Sequence, residues 1–280
     1  MSLPDWLVQP AACVEMVTRL AAVSTALCAA EGIAARSHYA NDAVLGWPLL
    51  KRRSRLHGDG PVAALLGVVF RHPGIIVMHW VWLLAAATLF FTTSHPVIRP
   101  ATLFILFVIQ ALVHVRQFCV ALVGGDRMRL LLLGALTLRE IAPDGELATR
   151  ATLLFIGANC TLAYFVAGLY HLPMSEWRAG RALVGVLYHP FYGDPKAAEW
   201  LARHLRVCRT LTWGALVLEA GFPLALLGGA RTMMPALAAT LLMHLAIGHL
   251  MGLPRFVWAF LATYPAVIFT SVQVRDWLFR

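Results

Sequence analysis

The sequence predicts an all-α polytopic membrane protein, a bundle of about eight transmembrane helices with a short amphipathic helical insertion. Composition is the first observation that predicts it. Of the 280 residues, 60% are apolar and 13% are charged, and the mean hydropathy is +0.72. Average globular proteins are about 45–50% apolar and about 25% charged. A chain of this size cannot bury so much apolar surface internally, so its solvent must be lipid.

Apolar runs long enough to cross a bilayer are the second observation. A hydrocarbon core of about 30 Å requires about 20 apolar residues in a helix. Eight runs approach this length, and the fourth is the shortest. In chain order they are Ala11–Ala35, Gly74–Thr92, Pro100–Val120, Met128–Leu138, Ala151–Leu172, Thr210–Gly229, Met233–Gly252 and Phe256–Val274.

The segments between these runs complete the predicted architecture. Pro61–Phe70 is apolar but too short to span, so we expect it to lie in the membrane interface. Pro173–Arg209 is a long polar insertion between the fifth and sixth runs. The sequence contains neither an internal repeat nor a low-complexity tract, and we therefore expect residues 1–280 to form a single transmembrane domain.

The distribution of basic residues predicts an orientation. With eight spans, sixteen of the 23 Lys and Arg residues fall on one side, six fall on the other, and Arg19 lies within a helix. Cytoplasmic loops carry an excess of Lys and Arg, so the richer side should be cytoplasmic and both termini should lie outside. The same rule accounts for the net charge of +9 without a nucleic-acid partner.

Ionisable groups at membrane depth are costly and are therefore candidates for function. Glu219 is the clearest, because Leu211–Leu227 contains no other charge. His244 lies in the middle of another apolar run, and His249 follows five residues later, on a different face of the helix. Each of these residues has an alternative role as a helix-packing group, and the poor spacing of the two histidines does not favour a metal site.

The segment from Tyr164 to Leu187 contains the most informative pattern. An apolar helix breaks at Pro173, directly after Tyr170 and His171, and Trp177 and Arg178 then mark the membrane boundary. An imidazole at a helix end suits acid–base chemistry near neutral pH. The alternative is an ordinary aromatic boundary with an interfacial histidine.

Four motifs in order resemble the HTTM family, the membrane domain shared with vitamin K-dependent gamma-carboxylase. The segments YFVAGLYHL (Tyr164–Leu172) and WRAGRAL (Trp177–Leu183) resemble the family signature, and GGDRMRLL (Gly124–Leu131) resembles its Gly-Asp segment. LEAGFP (Leu218–Pro223) and the stretch from His244 to Tyr264-Pro265 resemble its last two motifs. Together the motifs cover most of the chain, from about Ala11 to Val274.

The resemblance implies an intramembrane pocket for a reduced, vitamin K-like quinone and a lysine that deprotonates it. His171 stands at the position of that lysine, and Asp126 falls near another functional histidine of the carboxylase. On this basis the predicted catalytic residues are His171, Glu219 and His244. The predicted substrate-binding residues are Tyr164, Tyr170, Trp177, Arg178 and Asp126.

Three functions follow as hypotheses. The first is a quinol-dependent enzyme of the bacterial inner (cell) membrane that modifies a small peptide or other substrate by a carboxylation-like (lyase) or oxidative reaction. It predicts that His171, Glu219, His244, Arg178 and Trp177 converge on one cavity. The second is a non-enzymatic maturation, immunity or export partner of a secreted peptide, and the third is a DoxX-like quinone-coupled oxidoreductase subunit. The sequence contains no nucleotide-binding, nucleic-acid-binding or metal-binding motif.

Overall fold

Helices form the regular structure throughout the described part of the chain. The structure is a computed structural model and describes residues 9–52, 60–117, 124–190 and 192–279. Within these ranges the chain forms helices joined by turns and short loops, which confirms the all-α prediction.

The chain divides into two compact units. One is Thr18–Gly145, and the other contains the described residues of Met1–Val17 and Glu146–Arg280. Helix α1 (Pro10–Ala34) contributes residues to both units. The single transmembrane domain expected for residues 1–280 stays a prediction.

The described residues of the Thr18–Gly145 unit form five further α-helices and a 3-10 turn, Arg36–Tyr39. The α-helices are α2 (Trp47–Lys51), α3 (Pro61–Phe70), α4 (Gly74–Phe91), α5 (Ile98–Gln117) and α6 (Gly124–Ile141). Helices α2 and α3 each begin with a proline in the first turn, where its missing N–H group is one that the helix leaves unbonded. Helix α3 has the bounds predicted for the interfacial stretch, and Phe70 packs edge-on against Trp47 with ring centroids 4.7 Å apart.

Helices α5 and α6 pack as an antiparallel pair. At one end, Arg99 of α5 forms an ion pair with Glu140 of α6 at 2.8 Å. Further along, the Gln110 side chain donates a hydrogen bond to the backbone carbonyl of Asp126 at 3.4 Å. Buried leucines line both helices, namely Leu103, Leu106, Leu132, Leu133 and Leu136. Helix α6 therefore runs back beside α5 for most of its length.

The second unit contains the remaining helices. They are α7 (Gly145–His171), α8 (Ser175–Arg178), α9 (Arg181–Leu187), α10 (Pro195–Arg203), α11 (Leu205–Gly221), α12 (Ala230–Leu250), α13 (Pro254–Leu261) and α14 (Tyr264–Leu278). Helices α8 to α10 form the predicted amphipathic insertion. Asp194 caps α10 by accepting hydrogen bonds from two backbone N–H groups. Helix α10 buries Ala198 and Leu201 and exposes Trp200.

Six helices in the described residues are long and apolar enough to cross a membrane. They are Pro10–Ala34, Gly74–Phe91, Ile98–Gln117, Gly145–His171, Ala230–Leu250 and Pro254–Leu278, the last comprising α13 and α14. Each of the six helices overlaps a predicted apolar run. By the length and composition of these helices, the chain is an integral membrane protein.

The predicted count of about eight spans is not confirmed, because two predicted runs are not among the six. Met128–Leu138 lies within α6, whose ends carry five charged residues that lower its hydropathy. Thr210–Gly229 is not one continuous α-helix. Helix α11 ends at Gly221 after 17 residues, and a 3-10 turn, Phe222–Leu226, follows with a proline near its start.

Candidate functional site

One face of α7 carries three of the residues that form the candidate site. Tyr164, Gly168 and His171 are spaced by four and three residues, so they lie on the same side of the helix. Tyr164 and His171 are seven residues apart, which corresponds to about 10.5 Å along the helix axis. This face packs against α11, α12 and the 3-10 turn Phe222–Leu226.

A buried tyrosine–histidine pair lies at the deeper end of this face. The Tyr164 hydroxyl and His244 Nε2 share a hydrogen bond of 2.7 Å. Tyr164 is 3% exposed and His244 is 2% exposed. Two residues that the sequence predicted for separate roles are therefore bonded to each other, and the bond joins α7 to α12.

Phenylalanine rings enclose this pair. Phe222 packs against Tyr164 with ring centroids 4.5 Å apart, and Phe256 and Phe260 each lie 4.8 Å from the His244 ring. His244 Nδ1 is buried and has no hydrogen-bond partner among the described residues. A phenol and an imidazole that share a hydrogen bond can each act as the donor, so either group of the pair can carry the shared proton.

Further polar side chains adjoin the pair, and none of them is among the predicted catalytic or substrate-binding residues. The hydroxyls of Thr240 and Tyr264 lie 3.0 Å apart, and the Thr263 hydroxyl donates to the Cys160 sulfur at 3.0 Å. Cys160 and Tyr164 are four residues apart on α7, as are Thr240 and His244 on α12. This spacing is the signal that would have identified Cys160 and Thr240 as neighbours of the predicted residues.

Glu219 lies at a close approach of α7 and α11. A Cβ atom added to Gly168 would be 2.4 Å from the Ala220 nitrogen and 2.9 Å from the Glu219 carbonyl carbon. Only glycine allows this approach. Glu219 is partly buried, and within the described residues its side chain makes no hydrogen bond or ion pair.

His171 lies at the end of α7 and is stacked on Trp177 of α8. Their ring centroids are 4.0 Å apart with an interplanar angle of 25°, and Tyr170 meets the His171 ring edge-on at 5.4 Å. His171 is partly buried, and its buried Nδ1 has no hydrogen-bond partner within the part of the chain that the structure describes. Three predicted site residues, Tyr170, His171 and Trp177, are therefore neighbours. One nitrogen of the His171 imidazole forms no hydrogen bond to the described residues.

Arg178 belongs to a cleft of about 540 Å³. Its lining residues are Ser175, Arg178, Ala179, Arg181, Arg209 and Trp213. His171, Glu219 and His244 do not line this cleft. The predicted residues of this unit are therefore grouped around His244, around His171 and around Arg178, rather than around one described cavity.

Asp126 belongs to the Thr18–Gly145 unit and has a close ionic partner there. Its carboxylate is 3.0 Å from an Arg129 guanidinium nitrogen, with side-chain exposures of 3% and 0%. Arg129 also donates to the Ser24 hydroxyl at 3.3 Å. The three-residue spacing of Asp126 and Arg129 in the sequence indicates this pair. The predicted substrate-binding role of Asp126 stays a prediction.

Comparison with known proteins identifies no relative of this chain. No protein-family model matches the chain, and neither a curated protein nor a solved structure matches it.

Proposed function

We propose that this protein is a membrane-embedded enzyme that binds a reduced, quinone-like cofactor and modifies a small peptide or other substrate. The single observation that carries the proposal is the state of His171. Its ring is stacked on Trp177, yet its buried Nδ1 has no hydrogen-bond partner in residues 9–52, 60–117, 124–190 and 192–279. A buried polar atom without a partner is costly, and a bound hydroxyl group would supply the missing hydrogen bond.

The residues present fit such a cofactor. When bound, a reduced quinone supplies a weakly acidic hydroxyl and two electrons. His171 would accept the hydroxyl proton at Nδ1, while Trp177 keeps the imidazole ring in place. Glu219, on the helix that packs against Gly168, has no bonded partner within the described residues and is available to receive a proton in turn. Tyr164 and His244 would hold a proton two turns deeper.

The proposal is tested by measuring binding of a short-chain vitamin K hydroquinone to the full chain in lipid nanodiscs under anaerobic conditions. We expect saturable binding to the wild type. Loss of the hydrogen bond in His171→Ala should weaken binding about tenfold, and His171→Lys should retain it because an amine also accepts the proton.

His204→Ala is the matched control. His204 is also stacked on a tryptophan, Trp200, at 4.5 Å, but its Nδ1 already bonds to the Trp200 carbonyl at 2.8 Å. Binding should therefore be unchanged in this variant. The proposal would be wrong if the wild type showed no saturable binding, or if His171→Ala and His204→Ala reduced binding equally.

Hydrogen bonds between helices favour a second, non-enzymatic function. The Tyr164–His244 and Thr240–Tyr264 hydrogen bonds join different helices, and such bonds stabilise transmembrane bundles without any chemistry. We therefore also propose a non-enzymatic maturation, immunity or export partner of a secreted peptide. Absence of hydroquinone binding, together with retention of folding in His171→Ala, would favour this function.

A further inference from the structure

Three helices, α8, α9 and α11, contribute residues to the cleft that contains Arg178. Arg178 ends α8, Arg181 begins α9, and Arg209 lies in the second turn of α11. The three arginines thus belong to different helices and line one cleft of about 540 Å³. A single exposed arginine on a loop needs no explanation, but three arginines that line one cleft form a positively charged site suited to an anion.

Two of the three charges are not neutralised by the protein. Arg181 donates two hydrogen bonds to the Glu176 carboxylate, at 2.8 and 3.0 Å. The side chains of Arg178 and Arg209 make no hydrogen bond or ion pair in the part of the chain that the structure describes. The Glu176 carboxylate offsets only the charge of Arg181, so the cleft keeps an excess positive charge.

The turn that presents these arginines is held in place by α11. Trp213 donates its indole N–H to the Arg178 carbonyl at 3.0 Å, and the Cys208 thiol donates to the Gly180 carbonyl at 2.7 Å. Gly180 has φ +80°, and a Cβ atom there would be 2.7 Å from the Arg209 Cα. The backbone on both sides of the cleft is thus fixed before any ligand binds, which reduces the entropy that binding would cost.

We propose that this cleft binds a phosphate group, with Arg178 and Arg209 as its principal ligands and Arg181 as a third cation. Guanidinium groups present paired N–H donors that match the oxygens of a phosphate. The cleft belongs to the segment that directly follows the end of the α7 span, where a phospholipid headgroup and a free phosphate are both within reach. Of the three arginines, only Arg178 is among the predicted substrate-binding residues, and the test of the phosphate site needs no quinol.

Two probes distinguish the possible sources of the phosphate. Detergent-purified full chain is titrated with radiolabelled inorganic phosphate by equilibrium dialysis, and with phosphatidylglycerol by native mass spectrometry. Saturable binding of either probe is expected. Phosphatidylglycerol alone would identify a lipid headgroup site, and inorganic phosphate would identify a site for soluble phosphate.

The variant Arg178→Gln/Arg209→Gln should weaken binding of that probe at least about tenfold, because it removes both unpaired guanidinium groups. Lys196→Gln/Arg206→Gln is the matched control, since it removes the same charge from the same segment outside the cleft. Its binding should stay within about twofold of the wild type. Equal losses in the two variants would show diffuse attraction rather than a site, and no saturable binding of either probe would also overturn the proposal.

Discussion

Tyr164 and His244 share a buried hydrogen bond beside several phenylalanine rings. Replacing Tyr164 by phenylalanine removes the hydroxyl and leaves both nitrogens of a buried imidazole without a partner. We expect Tyr164→Phe to lower the free energy of unfolding by about 1 kcal/mol. The measurement is the unfolding midpoint in mixed detergent micelles, followed by tryptophan fluorescence.

Tyr170→Phe is the control for this variant. Tyr170 is 65% exposed, and its replacement by phenylalanine also removes one phenol hydroxyl. Its unfolding midpoint should match the wild type. An equal loss of stability in the two variants would show that the Tyr164–His244 bond contributes nothing of its own.

Glu176 provides a pH-dependent contact outside the membrane spans. The hydrogen bonds from Arg181, and then its charge, lower the pKa of this carboxyl from its ordinary value of 4.5. A lowered pKa means that the contact stabilises the fold above the ordinary value and is lost as the pH falls through the lowered value. Because both side chains are exposed, we expect the effect on stability to be small.

The shift itself is measurable by a carbon-detected NMR titration of labelled glutamate side chains. The Glu176 midpoint should lie below 4.5 in the wild type and move up toward it in Arg181→Gln. A midpoint that is the same in both proteins would contradict the pairing.

At the scale of elements, the α7–α11 crossing is set by Gly168. A methyl group at this position would press on the backbone of Ala220, which cannot move aside as a flexible side chain could. We expect Gly168→Ala to lower the free energy of unfolding by about 1–3 kcal/mol.

Gly214→Ala is the matched change on α11, where a Cβ atom meets nothing within 4 Å. Alanine favours the helix at an open position, so this variant should be stabilised by about 0.5–1 kcal/mol. Opposite signs for the two substitutions are the expected result. Stabilisation of both would show that α7 and α11 are not in close contact.

The pairing of α5 with α6 predicts where the adjoining loops lie. If α6 runs back beside α5, Ser94 before α5 and Pro143 after α6 lie on the same side of the membrane. We expect Ser94→Cys and Pro143→Cys, each in a chain with its five native cysteines replaced by alanine, to react with an impermeant maleimide from the same side.

Arg71→Cys, which precedes α4, should react from the opposite side. Labelling of Ser94→Cys and Pro143→Cys from opposite sides would show that only one of α5 and α6 crosses the membrane. The expected pattern would raise the number of crossing helices above the six that length and hydropathy identify.

Helix positions were largely predictable from the sequence because apolar runs end at prolines and charges. Pro61–Phe70 has the predicted bounds, and Gly74–Phe91 differs from its prediction by one residue. Helix α6 was predicted too short because the polar residues at its ends are paired in the folded chain, which an apolar-run criterion does not detect.

The contacts of the candidate site were less predictable. Tyr164 and His244 were each recognised as candidates, but they are 80 residues apart and no spacing rule indicates their hydrogen bond. The stack of His171 on Trp177 follows from the short turn at Pro173, whereas the grouping of Arg178 with Arg209 depends on how α8 and α11 pack. Local periodicity identifies which residues share a helix face, and tertiary packing decides which faces meet.

For the whole molecule, the six apolar helices predict behaviour that a peripheral protein would not show. We expect the chain to remain in the membrane pellet after extraction with alkaline carbonate and to be released by a mild detergent. A chain that binds only through its net charge of +9 would be released by carbonate or high salt. Recovery in the supernatant would contradict the assignment of membrane spans.

The Arg99–Glu140 and Asp126–Arg129 pairs also bear on how the chain enters the membrane during synthesis. The charge-free stretch of α6, Leu130–Leu138, has nine residues, fewer than half of the about 20 apolar residues that a membrane span requires. Helix α6 is therefore a poor substrate for the translocon by itself. Helix α5 is synthesised first and carries one partner for Glu140. We expect α5 to wait beside the translocon until α6 emerges, so that the two are released into lipid as one helical hairpin.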